Sequence, residues 1–272
     1  MIVFPNCKIN LGLQVLSKRI DGFHDISTIF FPIPLTDSLE VITDKSITEP
    51  FVFSSSGLQI GTNPEENLCV RAFNLLKKNY PQLPHLRIHL HKVIPMGAGL
   101  GGGSSDAAFV LKLINHKYQL SIGDEKLKDF ALELGSDCPF FIDSTACLAT
   151  GRGEEMHPVP IDLSGYTIVL IYPGIHISTP WAFSAIQPTE KQQDLQELIS
   201  HPPEEWKHSM FNDFEIPVFK EYPQIAEIKK TLYNQGAVFS AMSGSGSAVY
   251  GLFKQKPSLS GLFDSSFQVF IF

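Results

Sequence analysis

The sequence lacks the features that mark several specialised classes of protein. Its four cysteines show no C-x-x-C spacing, so neither a zinc site nor a disulfide framework is indicated. No apolar stretch approaches membrane-spanning length, and the N-terminus has no basic region followed by an apolar run. The 21 lysines and arginines are outnumbered by 28 aspartates and glutamates, so no excess of positive charge would attract nucleic acid or an anionic membrane. We therefore expect a cytoplasmic, reduced protein with no nucleic-acid or membrane partner.

What remains is an ordinary globular composition. The 272 residues are 43% hydrophobic and 18% charged, which is typical of a chain that forms one large domain or two smaller ones. The formal net charge is −7. Any anionic ligand must therefore be held locally, by particular lysines, by backbone amides or by a metal ion.

A glycine-rich segment, residues 95–108, is the most informative part of the chain. Five of its glycines fall within seven residues. The alternating residues 86–91 before it predict a half-buried strand, and a helix is predicted over residues 104–115, with Ser104 and Ser105 as natural N-cap residues. A loop of free N–H groups that leads into a helix is suited to binding phosphate. We therefore favour a phosphate-binding loop over a structural turn.

Two known phosphate-binding patterns compete for this segment. The Walker pattern needs a lysine at the helix start, and no lysine lies between residues 92 and 112. Gly97, Gly99 and Gly102 match G-x-G-x-x-G, the dinucleotide-binding pattern. That pattern also wants a continuous apolar strand and an acidic residue at the end of a second strand, and the sequence offers neither. Dinucleotide binding is therefore the distant alternative.

The N-terminal region predicts a β-hairpin. Residues 7–15 alternate between apolar and polar positions, a turn follows at residues 18–22, and a second apolar segment covers residues 24–33. Lys8 and Asn10 then project from the same face of the first strand. From periodicity alone we expect Lys8 to lie on a solvent-exposed sheet surface, the commoner position of a lysine.

Asp137 is the acidic residue that invites a functional interpretation. It follows Gly135, the predicted end of a helix, and precedes Cys138 and Pro139, where burial is expected. An aspartate in this position can cap a following turn, or it can act as a catalytic acid or base. The local sequence does not decide between the two.

The other patterns predict a mixture of strands and helices without regular βαβ alternation, so we expect an α+β fold. Strands are predicted at 38–43, 51–53, 145–152, 166–172, 238–242, 248–253 and 267–272, helices at 67–79, 124–134, 223–234 and from 178 onward, and polar segments at 54–64 and 191–205. A domain boundary is expected near residues 155–165, where prolines interrupt the chain.

Three motifs occur in order along the chain. They are Lys8-Ile9-Asn10-Leu11, the segment 95–105, and Met242-Ser243-Gly244-Ser245-Gly246. Together they resemble the GHMP kinases, a family that includes galacto-, homoserine, mevalonate and phosphomevalonate kinases. The resemblance spans nearly the whole chain.

The second motif has a longer form that points to one branch of this family. Two extra glycines, Gly102 and Gly103, precede its serine pair. This form is similar to the branch that phosphorylates 4-diphosphocytidyl-2-C-methyl-D-erythritol in the non-mevalonate isoprenoid pathway. Further segments that agree with this branch are Asp21-Gly22-Phe23-His24, Glu66-Asn67-Leu68, Gly135-Ser136-Asp137-Cys138-Pro139, Pro173-Gly174 before Ser178-Thr179-Pro180, and Asn212-Asp213-Phe214-Glu215.

The resemblance implies a fold and an activity. The fold has an N-terminal domain similar to ribosomal protein S5 domain 2 and a ferredoxin-like C-terminal domain, which we place at residues 1–157 and 158–272, with the substrates meeting in a cleft between them. The implied activity is ATP-dependent phosphorylation of the 2-hydroxyl of this small molecule, carried out by a monomer or weak homodimer.

The resemblance also implies roles for individual residues. Asp137 matches the catalytic aspartate that takes the proton from the substrate hydroxyl, and Lys8 matches the lysine that offsets charge on the transferring phosphoryl group. Ser105 would face the β- and γ-phosphates and their Mg²⁺. The implied ATP-binding residues are Pro95, Met96, Gly97, Ala98, Gly99, Leu100, Gly101, Gly102, Gly103, Ser104, Ser105, Lys92 and Asn67. The implied substrate-binding residues are Asn10, Phe23, His24, Thr179 and Phe183.

Three residues depart from the pattern of this branch. Phe23 stands where tyrosine is common, which preserves stacking on cytosine and removes a hydroxyl contact. Ala98 replaces a common glycine, and Asp106 follows Ser105 where asparagine is frequent. An acid at a phosphate loop opposes bound phosphate unless it faces Mg²⁺ or a helix amide, and the sequence does not decide which.

Two other functions are compatible with the same fold. The first is another GHMP kinase, such as a mevalonate-type enzyme, against which Gly102, Gly103 and the Phe23-His24 pair argue. The second is a non-catalytic ligand sensor, against which the presence of both Lys8 and Asp137 argues.

Overall fold

The computed structural model describes residues 1–61, 63–188 and 193–272, and the chain forms two compact units. Unit 1 comprises Met1–Cys7, Ile33–Met96 and Gly101–Ser144, and unit 2 comprises Lys8–Pro32, Gly97–Leu100 and Thr145–Phe272. Each unit is thus assembled from separate stretches of the chain. The domain boundary at residues 157 and 158 stays a prediction.

The described part of the chain contains twelve strands and eight α-helices. The strands are β1 (Ile2–Val3), β2 (Asn6–Lys18), β3 (His24–Thr36), β4 (Ser38–Thr43), β5 (Phe51–Gly57), β6 (Leu86–Lys92), β7 (Cys147–Thr150), β8 (Glu155–Pro158), β9 (Thr167–Tyr172), β10 (Phe239–Met242), β11 (Val249–Phe253) and β12 (Gln268–Ile271). The helices are α1 (Leu68–Asn79), α2 (Gly102–Tyr118), α3 (Asp124–Leu134), α4 (Phe140–Asp143), α5 (Thr179–Ser184), α6 (Leu195–Leu198), α7 (Glu215–Glu221) and α8 (Pro223–Asn234). Within the described ranges, none of these helices is long and apolar enough to cross a membrane.

Unit 1 combines a four-stranded sheet with helices α1 to α4. The strand order is β1-β4-β6-β5, with β4 antiparallel to both neighbours and β5 parallel to β6. The alternation predicted for β6 is confirmed, because Leu86, Ile88 and Leu90 are buried. The next strand after α2 is β7, which belongs to a different sheet. The glycine segment is therefore not the turn of a dinucleotide-binding βαβ unit.

One part of unit 1 departs from its prediction. Residues 54–64 were expected to form a polar loop, and β5 instead continues to Gly57. The hydroxyls of Ser54 and Ser56 lie 2.8 and 2.9 Å from the two ring nitrogens of His89 on β6. Polar residues are compatible with an edge strand that has one solvated face, which explains why composition alone misled here. Residue 62 of this segment lies outside the described residues.

Unit 2 contains two four-stranded sheets, ordered β2-β3-β7-β8 and β10-β11-β9-β12, together with helices α5 to α8. The predicted hairpin near the C-terminus is confirmed, with β10 and β11 antiparallel and Ala241 opposite Tyr250. The hydrophobic core of this unit includes Val169, Phe214 and Leu232. In the predicted polar segment 191–205, residues 191 and 192 lie outside the described residues, and α6 forms within the remainder.

The N-terminal hairpin is confirmed as the neighbouring strands β2 and β3, but its polar face is not on the surface. Lys8 is 4% exposed and Asn10 is 2% exposed. The expectation of a solvent-facing Lys8 is therefore wrong. Segments of unit 2 that are distant in sequence cover this face, and strand periodicity carries no information about them.

Candidate active site

The glycine segment enters α2 through Gly101, the N-cap residue, whose φ of +69° lies in the left-handed region that favours glycine. The helix begins at Gly102, so the expectation that Ser104 and Ser105 cap it is wrong: both lie inside its first turn, and no side chain caps it. The first backbone N–H groups of a helix have no intrahelical acceptors. This arrangement is suited to an anion, as the phosphate-loop hypothesis requires.

A buried ion cluster, formed by Asp37, Lys92 and Asp106, lies at the start of α2 in unit 1. The Lys92 ammonium lies 2.5 Å from Asp37 Oδ2 and 2.7 Å from Asp106 Oδ2, and the three side chains are 3% exposed or less. The other oxygen of Asp37 accepts the backbone N–H groups of Val93 and Ile94, at 2.5 and 2.8 Å. One carboxylate thus fixes both the lysine and the chain that leads into the glycine segment.

Burial and charge act in opposite directions in this cluster. Burial raises the pKa of Asp106 to about 7, although the nearby charge of Lys92 opposes the shift. Burial would lower the pKa of Lys92, but the carboxylates of Asp106 and Asp37 outweigh it, so the pKa of Lys92 is raised. Lys92 therefore stays charged. The sequence left open which group Asp106 faces, and it faces this ammonium.

Two oxygens at the start of α2 have no partner. In the described part of the chain, Ser105 Oγ and Asp106 Oδ1 are the buried side-chain polar atoms without a hydrogen-bond partner. Buried polar atoms are rarely left unsatisfied in folded proteins. No cluster of three or more His, Cys, Asp or Glu side chains suited to a metal ion occurs among the described residues. A metal ion here would have to take most of its ligands from a bound phosphate group and water.

Asn67 and Asp137, the other predicted site residues of unit 1, lie at helix boundaries. Asn67 is the N-cap of α1, where its side chain accepts the backbone N–H of Cys69 at 2.9 Å. Asp137 is half-buried in the connection between α3 and α4. The N-cap of α4 is Pro139, which makes no side-chain cap, and the two alternatives for Asp137, a capping residue or a catalytic acid or base, both stay predictions.

Cys138, which follows Asp137, is fully buried, and burial raises the pKa of its thiol to about 12. The thiol is therefore protonated at neutral pH and is not a nucleophile. This leaves the carboxylate as the group in this short segment that is suited to proton transfer.

In unit 2, residues 97–100 of the glycine segment are held from two directions. The Ala98 carbonyl accepts the backbone N–H of Ala248 at 3.1 Å, and the Leu100 carbonyl accepts the N–H of Lys8 at 3.0 Å. Gly99 lies against the Ser243 carbonyl so closely that a Cβ atom would overlap it. The first and third sequence motifs therefore both contact the second within this unit.

The Lys8 ammonium lies in the middle of these contacts. It donates to Asn10 Oδ1 at 2.6 Å and to the Gly99 carbonyl at 3.1 Å, and it lies 4.9 Å from the centre of the Phe30 ring. Asn10 is oriented in turn by Thr28, whose hydroxyl accepts its amide N–H at 2.9 Å. A charge in such a shielded site interacts strongly with other charges, because water screens it little.

Gly99→Ala is expected to lower the free energy of unfolding by more than about 1–2 kcal/mol, the ordinary cost of a side chain at positive φ. The reason is the additional overlap with the Ser243 carbonyl. Gly261→Ala is the matched control, since its φ of +73° is close to the +76° of Gly99 and nothing lies within 4 Å of an added Cβ. Urea titrations of both variants compare the two effects. An equal loss in the two would show that the Gly99–Ser243 contact has no energetic weight.

The predicted substrate-binding residues of unit 2 contact one another or neighbouring polar groups. The rings of His24 and Phe183 stack at 4.8 Å, and burial lowers the pKa of His24, with a smaller effect from the charge of Lys18. Arg152 lies over the ring of Phe23 at 5.1 Å. Aromatic rings of this kind offer faces on which a planar ring could stack.

The remaining substrate-binding prediction, Thr179, lies at the start of α5, with its hydroxyl 3.2 Å from that of Ser245 in the third motif. The residues of the glycine segment that are predicted to bind ATP divide between the units: Pro95, Met96 and 101–105 belong to unit 1, and 97–100 belong to unit 2. Lys8 and Asn10 belong to unit 2, and Asp137, Asn67 and Lys92 belong to unit 1. The ligand contacts of all these residues stay predictions.

Sequence reasoning assigned no individual role to four residues that organise the site. Asp37 sits between two strands and carries no periodic signal. Ser243 donates its hydroxyl to the Gly99 carbonyl at 2.9 Å. Asn212 and Glu215, which the sequence placed in a family motif without a role, bond to the backbone of the third motif. Membership of a motif was the signal available for Ser243, Asn212 and Glu215.

Comparison with known proteins bears on the function of this arrangement. The family model described as "GHMP kinases N terminal domain" matches residues 67–149, and the model described as "GHMP kinases C terminal" matches residues 194–264. A protein of Bacteroides fragilis (strain YCH46) named 4-diphosphocytidyl-2-C-methyl-D-erythritol kinase is 50% identical over 268 residues, which cover 98% of this chain and 97% of the relative.

Solved structures of two kinases are also similar to this chain. A crystal structure of a 4-(cytidine 5'-diphospho)-2C-methyl-D-erythritol kinase is 34% identical with a TM-score of 0.77, covering 93% of this chain and 90% of that one. The mevalonate kinase of Methanococcus jannaschii has a TM-score of 0.73 over all of this chain and 97% of that one, but only 14% identity. The second likeness concerns the fold alone.

Proposed function

Because the chain belongs to the GHMP kinases and, within them, to the 4-diphosphocytidyl-2-C-methyl-D-erythritol kinases, we propose that it transfers the γ-phosphoryl group of ATP to the 2-hydroxyl of this cytidyl compound. The observation that carries the proposal is the 50% identity over 98% of the chain. The products are the 2-phosphate and ADP, and the reaction belongs to the non-mevalonate isoprenoid pathway. A mevalonate-type kinase is disfavoured, since that likeness does not extend beyond the fold.

The proposed reaction does not need a covalent intermediate with the protein. Phosphoryl transfer depends mainly on positioning and on stabilising charge in the transition state. Asp137 takes the proton of the substrate hydroxyl, and Lys8 stabilises negative charge on the transferring group. The contacts of Lys8 with Asn10 and Gly99 support this role, because they fix the ammonium beside the glycine segment.

The glycine segment holds the phosphates of ATP. Gly97, Gly99 and Gly101 have positive φ angles, which direct their backbone N–H groups differently from those of a regular helix or strand. The N-terminal end of α2 adds the partial positive charge of its free N–H groups. In a chain of net charge −7, such local donors are what makes phosphate binding favourable.

Mg²⁺ is the metal that this site fits. Ser105 would hold it, and the support is the Ser105 hydroxyl, buried and without a hydrogen-bond partner. Mg²⁺ keeps several waters and is often held by one or two protein groups plus substrate phosphates, which agrees with the absence of an all-protein cluster in the described residues. When bound, the ion would neutralise charge on the phosphates.

The acceptor would be bound by the substrate-binding residues of unit 2. The rings of Phe23, His24 and Phe183 offer stacking surfaces for cytosine, while Asn10 and Thr179 match positions around the methylerythritol and cytidine portions. We further propose that the protein acts in the cytoplasm as a monomer or weak homodimer, without nucleic-acid or membrane partners.

A two-acceptor assay tests this function. Purified protein with ATP and Mg²⁺ is given either 4-diphosphocytidyl-2-C-methyl-D-erythritol or mevalonate, and ADP release is measured above a blank without acceptor. We expect release with the cytidyl compound alone. Release with mevalonate alone would keep the kinase chemistry and overturn the substrate. No release with either would favour a ligand sensor.

A further inference from the structure

The turn between β10 and β11, residues 243–248, is held by a side chain from a distant segment. Asn212 donates both hydrogens of its amide, one to the Met242 carbonyl and one to the Gly244 carbonyl, each at 2.8 Å. Its own carbonyl oxygen accepts the backbone N–H of Phe214 at 3.0 Å. With 2% of its surface exposed, Asn212 uses its hydrogen-bonding groups entirely inside the protein.

Glu215 bonds to Met242, the last residue of β10, through the N–H group rather than the carbonyl. One carboxylate oxygen accepts the Met242 N–H at 2.9 Å, and the other accepts the Lys229 ammonium at 2.6 Å. Burial raises the pKa of Glu215, and Lys229 opposes that shift. Both the N–H and the carbonyl of Met242 are therefore fixed by side chains from a single four-residue motif.

The segment that carries Asn212 is itself anchored to β2. The Leu13 N–H donates to the Phe211 carbonyl and the Asp213 N–H donates to the Leu13 carbonyl, both at 2.9 Å. The Val15 N–H donates to the Asp213 carboxylate at 2.8 Å. These bonds fix residues 211–213 against the strand that carries Lys8 and Asn10.

The far side of the turn contacts the predicted catalytic lysine through two intermediates. Ser243 donates to the Gly99 carbonyl at 2.9 Å, and the Asn10 N–H donates to the Ser243 hydroxyl at 3.3 Å. Gly99 and Asn10 are also the groups that accept from Lys8. Asn212 thus fixes the backbone on both sides of Ser243, and the Ser243 hydroxyl bonds to the two residues that accept from Lys8.

We propose that Asn212 is a positioning residue for phosphoryl transfer: it fixes the turn at residues 243–248 against residues 97–100 and so sets the location of the Lys8 ammonium. The proposal rests on the proposed function for its kinetic consequence. Asn212 is 2% exposed and its amide hydrogens and oxygen all bond to backbone groups, so it is not placed to bind ATP or the acceptor itself. We therefore expect Asn212 to affect the geometry with which Lys8 stabilises charge. A change of this kind lowers kcat more than it alters KM.

Asn212→Asp is the most selective test. The variant keeps the size of the side chain and the acceptor for Phe214, and it replaces both donors with a carboxylate facing two carbonyls. We expect kcat to fall by about 100-fold, the order of loss caused by a displacement of about 1 Å, with KM for the acceptor nearly unchanged. Steady-state ADP release with each substrate varied separates kcat from KM.

Asn115→Asp is the matched control. The side-chain amide of Asn115 also bonds to backbone groups: it donates to the Ile122 carbonyl at 2.9 Å, and its oxygen accepts the Ile122 N–H at 3.0 Å. It lies in α2 of unit 1, and no site residue is involved. The control should lower the thermal midpoint and leave kcat unchanged. An equal fall of kcat in the two variants would mean that Asn212 acts through stability alone, and the proposal would be wrong.

Amide hydrogen exchange tests the positioning role of Asn212 independently of the proposed kinase function. The N–H groups of Ser243, Gly246 and Ala248 are hydrogen-bonded within unit 2, to the carbonyls of Ala248, Ser243 and Ala98. In Asn212→Asp they should exchange at least about tenfold faster, while α2 keeps its protection. This readout needs no turnover, so it decides the positioning claim even if the wild type phosphorylates neither acceptor. Unchanged exchange at the turn would overturn the proposal by itself.

Discussion

Asp137→Asn is expected to lower kcat for the cytidyl substrate by about 10³-fold, because asparagine cannot accept the proton of the attacking hydroxyl. The substitution preserves the size of the side chain. The turn around it is held by backbone, with the Cys138 N–H donating to the Gly135 carbonyl at 3.1 Å. KM for ATP and the thermal midpoint should therefore change little. Steady-state kinetics and calorimetric ATP binding measure these quantities.

Asp143→Asn is the control for the loss of a negative charge in the same region. Asp143 ends α4, its side chain is 46% exposed, and it pairs with Lys128 at 2.9 Å. An exposed pair of this kind contributes little, so turnover should stay at the wild-type level. If Asp137→Asn also kept wild-type turnover, Asp137 would not be the base and the proposed mechanism would be wrong. That result would not bear on ATP binding by the glycine segment.

Lys92→Met is expected to lower the free energy of unfolding by about 3–5 kcal/mol, the usual cost of removing one partner from a buried ion pair. Methionine fills much of the same space, but it leaves the carboxylates of Asp37 and Asp106 buried without their cation. Asp37 keeps its two backbone donors, whereas Asp106 Oδ2 loses the ammonium that it accepts from, and Asp106 Oδ1 has no hydrogen-bond partner. Most of the loss should therefore come from Asp106.

The loss in Lys92→Met should grow with pH. Burial already raises the pKa of Asp106 from 3.8 to about 7, and removing Lys92 raises it further. A carboxyl group whose pKa is higher in the folded state contributes most to stability below its unfolded pKa, and that contribution is lost as pH rises through the folded value. Urea titrations at about pH 6 and about pH 8.5 should thus show the larger deficit at the higher pH.

Two further variants make this result specific. Adding Asp106→Asn to Lys92→Met should recover part of the lost stability and remove most of the pH dependence, because the unpaired charge is gone. Lys230→Met, which breaks an exposed pair with Glu227 at 3.3 Å, should have no measurable effect. A change in KM for ATP without a loss of stability in Lys92→Met would instead support ATP binding by Lys92 and contradict the structural role.

The sequence by itself determined the elements with strong local signals. The bounds of α3, α8 and β4 agree with the predicted ones, since helical or strand periodicity and flanking glycine or proline residues are local properties. The glycine segment and its two companion motifs also indicated the family before any tertiary contact was known, because a phosphate loop needs particular residues at particular positions. Chemistry and local geometry were therefore predictable.

Tertiary structure decided which polar groups are buried and what they contact. Lys8 has the pattern of a surface lysine, yet Gly99 and Ser243, about 90 and 235 positions away, enclose it. Asp37, Lys92 and Asp106 form one cluster although no sequence period relates them. The physical reason is that periodicity specifies only which face a side chain occupies. Whether that face meets water or another segment depends on contacts between residues far apart in the chain, and these exist only in the folded protein.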